Sequence, residues 1–461
     1  MRGLSSREIL TRSCVVGVLA LAFAAAAPAH AQTIDSASYA HRRARLAALA
    51  KDGIVVIQSV DKNQAGLTEY LIDDSDNHDF LFLTGVESQS STLVLLPAST
   101  TYPEILFVPE KEVDGARART GIKTVIASEK FPAMLGDALT DYSIKRFTER
   151  MRKPVSSEMS RVLSLTLKKP IAFNYPRYIS LANDPPARVK LAANIRVLSP
   201  NVELRDASPL LDDLRNRRDP ADLAMENKIV QIGSAGIVAA MKASRAGMTD
   251  EKVNAVAEST FKAQGASRLA YPSLIYIAPF ARKVQPVSAA EVAKSSEPSS
   301  AVHVMENGDL VMIDAGAEYH HYASDLSRTV PVSGKFTAEQ RKYYDAVLAA
   351  HHAAVAAIRP GATFKQVNDA AVAALRAQGL DKYFTFGTSH FIGMDAHDAG
   401  NYSKPMVPGM IFTVEPGMID TEKNIVIHVE DMILVTPTGH KNLSESVPIE
   451  VADIEKLMAT K

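Results

Sequence analysis

The chain predicts an α+β fold in two domains, and three features carry that expectation. About 430 residues follow an N-terminal targeting segment, more than one hydrophobic core usually serves. Residues from about 39 to 205 alternate helical and strand-like runs, as a small α/β domain would. The remainder sets amphipathic helices around β-rich runs that read as paired strands, which argues α+β. The expected divisions are 1–31, 32–206 and 207–461.

Residues 1–31 read as a cleavable signal. Arg2, Arg7 and Arg12 form a positive start, residues 15–27 an apolar run too short to span a bilayer as a stable helix, and Ala29-His30-Ala31 a small-residue cleavage site. Cleavage is expected after Ala31, giving a periplasmic or secreted protein with no membrane attachment. Cys14, the only cysteine, would leave with the segment. A mature chain without thiols fits an oxidising compartment and excludes disulfides, thiolate zinc sites and cysteine nucleophiles. The formal charge of −1 falls to about −3 once three Arg and one Glu are removed, so there is no basic field for nucleic acid or an anionic membrane. The sequence shows neither a solenoid-length repeat nor a phosphate-binding glycine loop.

In the first domain, residues 39–49 read as an amphipathic helix and 53–59, 92–96 and 105–108 as strands. Asp73, Asp74 and Asp76 lack the ligand spacing and closing Glu of a calcium loop, and read as a solvated, capped turn. Residues 207–218 form the expected junction, and Asp219-Pro220 starts a helix with proline near its first position. Helices at 221–243 and 250–264 follow. The interval 281–302, rich in Ser, Ala, Pro and Lys, reads as a loop; helices at 337–358 and 363–378 come after it, the first ending before Pro360-Gly361.

The chemistry-bearing residues lie on the β-rich runs. Leu310 to Ile313 is strand-like and leads to Asp314, with Asp325 eleven residues on. A two-residue turn at Tyr319-His320 would set the two Asp directly opposite, their Cβ atoms on one face at roughly 4.5–5.5 Å. Like charges so placed repel, and burial would cost several kcal/mol or force protonation; a divalent ion between them removes both penalties. A second pair follows the same logic. Runs 410–415 and 425–430, centred on the polar 420–424, set Glu415 opposite Glu430, and Pro416, lacking an N–H, ends the first ladder. Between the hairpins lie His390 and His397. One imidazole from this segment completes two Asp, two Glu and one His, an oxygen-rich set that suits Mn²⁺ or similar ions.

The strings Asp314-Ala-Gly-Ala-Glu-Tyr, Tyr322-Ala-Ser-Asp325-Leu-Ser-Arg-Thr, Ser389-His390-Phe-Ile-Gly-Met-Asp-Ala-His397-Asp, Thr413-Val-Glu415-Pro-Gly and Val429-Glu430-Asp resemble the ligand motifs of the pita-bread-fold metallopeptidases. In order and spacing they are most similar to the Xaa-Pro aminopeptidases (aminopeptidase P) and their prolidase relatives, over nearly all of the mature chain. The resemblance implies a pita-bread catalytic domain preceded by a smaller α/β domain of the creatinase and aminopeptidase P type, in which the stretch 76–85 enters a strand. It implies two divalent metal ions, Mn²⁺ ahead of Zn²⁺ or Co²⁺. Asp314 would bind one and His390 the other, Asp325 and Glu430 would bridge, and Glu415 would bind beside His390 and carry a proton from water to the leaving nitrogen. His397 would contact the substrate or the tetrahedral intermediate.

The function so implied is hydrolysis of an N-terminal Xaa-Pro bond by a hydroxide bridging the two ions, on peptides with proline second, by a homodimer or higher homo-oligomer. An Xaa-Pro dipeptidase (prolidase), or a catalytically weak scaffold binding peptide or protein, are the alternatives. Three substrate-side positions depart from the family pattern. Phe386 stands where many aminopeptidases P have a second active-site histidine, and His428 where an Arg is usual. In the rewritten stretch between Tyr271 and Asp314, His303 is the only histidine and the only candidate for the family's substrate-binding one.

Overall fold

Apolar runs with alternating destinations build the N-terminal sheet. Its strands are Ile54–Gln58 (β1), Thr92–Leu95 (β2), Glu104–Val108 (β3), Thr124–Ala127 (β4), Ile171–Phe173 (β5) and Leu204–Asp206 (β6), in the order β4-β3-β2-β1-β5-β6. β1 and β3 run antiparallel to β2, and the remaining pairs are parallel. Val55, Ile57, Leu93 and Leu95 join the large core shared with the second half of the chain, whereas Ile54, Val56, Val94 and Phe107 join a separate cluster with Phe131 and Ile195. Side chains alternate across a strand, so a sheet covered on both faces needs runs that are apolar throughout. The computed structural model describes residues 34–51, 53–59, 78–136, 169–175, 187–278 and 304–460. The expected signal, the Asp73, Asp74 and Asp76 turn, the 281–302 loop and His303 lie outside the described residues.

The run expected to enter a strand near residue 80 is instead a helix, His78–Thr84, with all seven residues buried. A short run with an apolar centre, here Phe80–Leu83, fits a buried helix as well as a buried strand. Here the first helix, Ser36–Ala50, decides the outcome: Arg42 and Arg43 donate to the Phe82 and Leu83 carbonyls at 3.1 and 3.0 Å. Cations at a helix C-terminus satisfy carbonyls that have no partner within the helix. The junction is helical too, as Ser208–Arg215, with Leu211, Leu214 and Arg215 buried.

The second half opens on the helix Pro220–Ala243. Asp219 accepts from the Asp222 N–H and Asp222 returns the bond to the Asp219 N–H, a reciprocal cap with Pro220 in the first turn. Helices Ala338–Ala357 and Phe364–Ala377 start behind Thr337 and Thr363 with reciprocal caps closed by Gln340 and Gln366, Asp250–Ala263 starts behind Thr249, whose side chain accepts from the Lys252 N–H, and Val451–Ala459 closes the chain. Between them run short antiparallel strands: Arg268–Leu269 (β7), Leu274–Ala278 (β8), Leu310–Ala315 (β9), Ala317–Tyr319 (β10), Tyr322–Ala323 (β11) and Leu326–Pro331 (β12). Ile411–Val414 (β13), Gly417–Asp420 (β14), Ile425–His428 (β15), Asp431–Thr436 (β16) and Gly439–Asn442 (β17) follow. They pair as β11-β10-β7, β12-β9-β8, β13-β16-β17 and β14-β15, and a bridge between Ser327 and Glu430 joins the two halves of the assembly. The fold is α+β.

Candidate metal centre

The first hairpin places Asp314 opposite Ser327, not opposite Asp325. Its turn is His320-His321, with φ of +49° and +66°, and Tyr319 faces Tyr322 across it. Two consecutive left-handed residues match the twist of the flanking strands, which Tyr319-His320 as turn residues would not have reproduced. The register is therefore two residues from the expected one. An even displacement keeps side chains on the same face, so Asp325 lies diagonal to Asp314 and the two still converge. The Tyr271 hydroxyl reaches both, lying 2.7 Å from Asp314 Oδ1 and closer still to Asp325 Oδ1.

The second hairpin has the expected register. Val414 pairs with Asp431 and Gly417 with His428, so Glu415 and Glu430 face each other where Pro416 interrupts the ladder. Ser327 ties the hairpins together: its carbonyl accepts from the Glu430 N–H and its hydroxyl donates to Glu430 Oε2, each at 3.0 Å. Arg328, buried beside it, donates to the Glu430 carbonyl at 2.6 Å and pairs with Asp431 at 2.6 Å. His390 is held by backbone bonds to Thr413, and its Nδ1 faces the Phe391 carbonyl at 3.1 Å. That leaves Nε2 facing Asp325, Glu415 and Glu430 at 3.5, 3.6 and 3.8 Å.

Three groups of possible ligand atoms result, each within 4.8 Å of one another: Asp314, Asp325 and Glu430; His390, Glu415 and Glu430; Asp325, His390 and His397. Among the described residues no Lys or Arg forms an ion pair with these four carboxylates; they pair instead with the imidazoles of His390 and His428, and His397 also approaches Asp325. Burial and the Asp325 charge push Asp314 up to about 6. Burial and the Asp325 and Glu415 charges raise Glu430 well above the carboxylate range. His390 is driven the other way: burial opposes its charge, but the bond to Asp325 and the Glu415 charge raise it to about 9. A cluster of buried acids that share one imidazole fits divalent cations, which would relieve the repulsion that raises these values.

The remaining expected residues surround this cluster. His397 stacks on His390, with ring centres 3.9 Å apart and an interplanar angle of 11°; burial and the His390 charge lower its pKa. Phe386 stacks on His428 at 4.4 Å. Two features had no reading in the sequence. Tyr271 reaches the site because β8 pairs with β9, Leu274 facing Asp314. A buried ionic cluster fastens the 390–398 loop: Arg215 pairs with Asp79, Asp395 and Asp398 at 3.0, 2.9 and 2.5 Å, and His78 with Asp395 at 2.7 Å. A run of charged residues at 212–219 was the only hint of it.

Residues 226–437 match metallopeptidase family M24, and residues 39–145 match the aminopeptidase P N-terminal domain. The chain is 31% identical over 293 residues to a Xaa-Pro aminopeptidase of Haemophilus influenzae, covering 56% of this chain and 64% of that protein. It is 28% identical over 421 residues to the Xaa-Pro aminopeptidase of Escherichia coli, covering 83% and 88%. Among solved structures, the aminopeptidase PepP of Pseudomonas aeruginosa shares the fold with a TM-score of 0.71 at 23% identity, over 92% of this chain and 98% of that one. Proline aminopeptidase P II from Yersinia pestis does so with a TM-score of 0.67 at 24% identity, over 93% and 100%. The second half therefore has the pita-bread fold. The chain thus joins an aminopeptidase P N-terminal domain to an M24 metallopeptidase domain, the make-up of a metallo-exopeptidase similar to the Xaa-Pro aminopeptidases.

Proposed function

We propose that the protein is a metal-dependent aminopeptidase that removes the first residue of peptides with proline second, using two divalent ions. The supporting observation is that the ligand groups overlap, sharing Glu430 and Asp325, as two ion positions with common carboxylates would. Asp314 would hold one ion, His390 and Glu415 the other, and Asp325 and Glu430 both; the oxygen-rich set favours Mn²⁺. Bound there, a pair of ions supplies Lewis acidity toward the scissile carbonyl and lowers the pKa of water toward ~7.

The chain's own residues do the rest. Glu415 is more open than the Glu430 it faces, its side chain 15% exposed against 2%, so it is placed to carry a proton from water to the leaving proline nitrogen. His397, packed flat on His390, is placed to contact the peptide. A tertiary Xaa-Pro amide offers no N–H, so recognition falls to the pocket and the free amine. Export through a signal cut after Ala31, and assembly as a homodimer or larger, belong to the same proposal; N-terminal sequencing of the exported protein and light scattering test them.

Metal-stripped protein reloaded with Mn²⁺ and given Xaa-Pro-Xaa, Xaa-Ala-Xaa and Xaa-Pro peptides tests the reading. Proline-selective release from the tripeptide supports it. Preference for the dipeptide points to a prolidase, and two bound ions without turnover on any peptide point to a binding scaffold, the reading that Phe386 and His428 favour.

A further inference from the structure

Phe386 and His428 pack as one unit against the metal centre. Their rings stack with centres 4.4 Å apart and planes 17° apart. His428 is buried, its Nε2 lies 3.0 Å from the Glu415 carbonyl oxygen and 3.5 Å from the Glu415 carboxylate, and its Nδ1 lies 3.8 Å from Asp314 Oδ2. The imidazole thus spans Glu415 and Asp314, the residues assigned above to different ions. Across the hairpin from His428 stands Gly417, where a Cβ would lie 2.5 Å from Phe386 Cδ2 and 3.0 Å from His428 Cδ2. The Phe386 ring fills the space that any side chain at 417 would take.

The other side of Phe386 is also fixed. It joins Met312, Val426, Tyr276 and Ile419 in a small apolar cluster separate from the main core. Met312 precedes Asp314, and Val426 precedes His428, by two residues on β9 and β15, so each shares a strand face with the polar residue that follows. A phenyl ring stacked on the imidazole and backed by that cluster opposes rotation of the imidazole out of its plane. Turning would break its contact with Glu415.

We infer that His428 is a positioning residue for the Glu415 and Asp314 carboxylates, and that Phe386 acts through it as the wall fixing the imidazole plane. This replaces the substrate-binding role expected for both. The inference rests on the reading that these carboxylates hold metal ions.

The test titrates metal-stripped protein with Mn²⁺ alone by calorimetry, for the wild type, Phe386→Leu, Phe386→Tyr, His428→Gln and the Phe386→Leu/His428→Gln double variant. Loss of a group that orients a ligand weakens metal affinity by about 10- to 100-fold. Phe386→Leu, which keeps apolar volume but not the flat ring, and His428→Gln are each expected to show that loss. Phe386→Tyr keeps the ring and is expected to bind within about 3-fold of wild type. The double variant is expected to be no weaker than His428→Gln, because the wall then has nothing to hold. Unchanged affinity in Phe386→Leu with a raised KM for peptide overturns the inference, as does additivity in the double variant. A wild type that binds no Mn²⁺ overturns the metal reading itself.

Discussion

Glu415 stands across from Glu430 at a break in the hairpin ladder, with Val414 opposite Asp431 before the break and Gly417 opposite His428 after it. Both carboxylates approach His390 Nε2, at 3.6 and 3.8 Å. Pro416 supplies no N–H at this point, so the ladder parts where two like charges must be accommodated. The same residues that interrupt the sheet therefore make room for cations.

Tyr271 tests how tightly that arrangement is supported. Its single hydroxyl proton serves both Asp314 and Asp325, which fixes their orientation toward Glu430. Tyr271→Phe keeps the ring and removes the hydroxyl. Mn²⁺ affinity is expected to fall by about 10- to 100-fold while thermal stability of the metal-free protein changes little. Calorimetric titration measures this, and wild-type affinity would contradict the role.

The ionic cluster under the 390–398 loop predicts a pH-dependent stability. Burial opposes the charge of Asp395, but the His78 and Arg215 charges and bonds outweigh it and hold its pKa at about 2, below the ordinary 3.8. A depressed carboxylate stabilises the fold above its ordinary value, and the contribution is lost as pH falls through 3.8 toward 2. The shift corresponds to about 2 kcal/mol at neutral pH. His78, whose pKa the Asp395 charge raises against the effect of burial, has the opposite dependence: its contribution is complete below 6.5 and is lost as pH rises through the folded value. Urea unfolding should show Asp395→Asn less stable by about 2–4 kcal/mol at pH 7, with a penalty that shrinks below about pH 3. An equal penalty at both pH values would count against this assignment.

The His320-His321 turn stores strain that substitution can release. Both residues adopt positive φ, where Asn and Gly are at home. The ion pair that would be lost, His321 to Glu87 at 2.8 Å, involves a Glu87 side chain 74% exposed, so it is worth little, and the edge contacts of His320 with Tyr319 and of His321 with His78 would go with it. The double variant His320→Asn/His321→Gly is expected to raise stability by about 1 kcal/mol, read as a higher melting temperature. A lower one would show that the histidines do more than turn the chain.

Legibility in the sequence followed the range of the interactions. The Glu415/Glu430 register could be read because two apolar runs, a polar connection and one proline leave a single self-consistent pairing. The Asp314/Asp325 register was misjudged by two because histidines carry no sign of left-handed conformation; the face survived because the error was even. The His78–Thr84 helix was hidden because Arg42 and Arg43, some 40 residues earlier, supply its C-terminal partners. Tyr271 and the Arg215 cluster depend on strand pairing and on contacts distant in sequence, and the charged run at 212–219 does not reveal its partners.

The most direct test joins metal count to chemistry. Mn²⁺ is returned stepwise to metal-stripped protein while bound equivalents and release of the first residue from an Xaa-Pro-Xaa peptide are followed together, for the wild type and Glu415→Ala. The expected result is release that reaches its full rate only as the second equivalent binds, and that falls by about 100-fold or more in the variant. Full turnover with one equivalent, or undiminished turnover in Glu415→Ala, would contradict the proposed two-ion site.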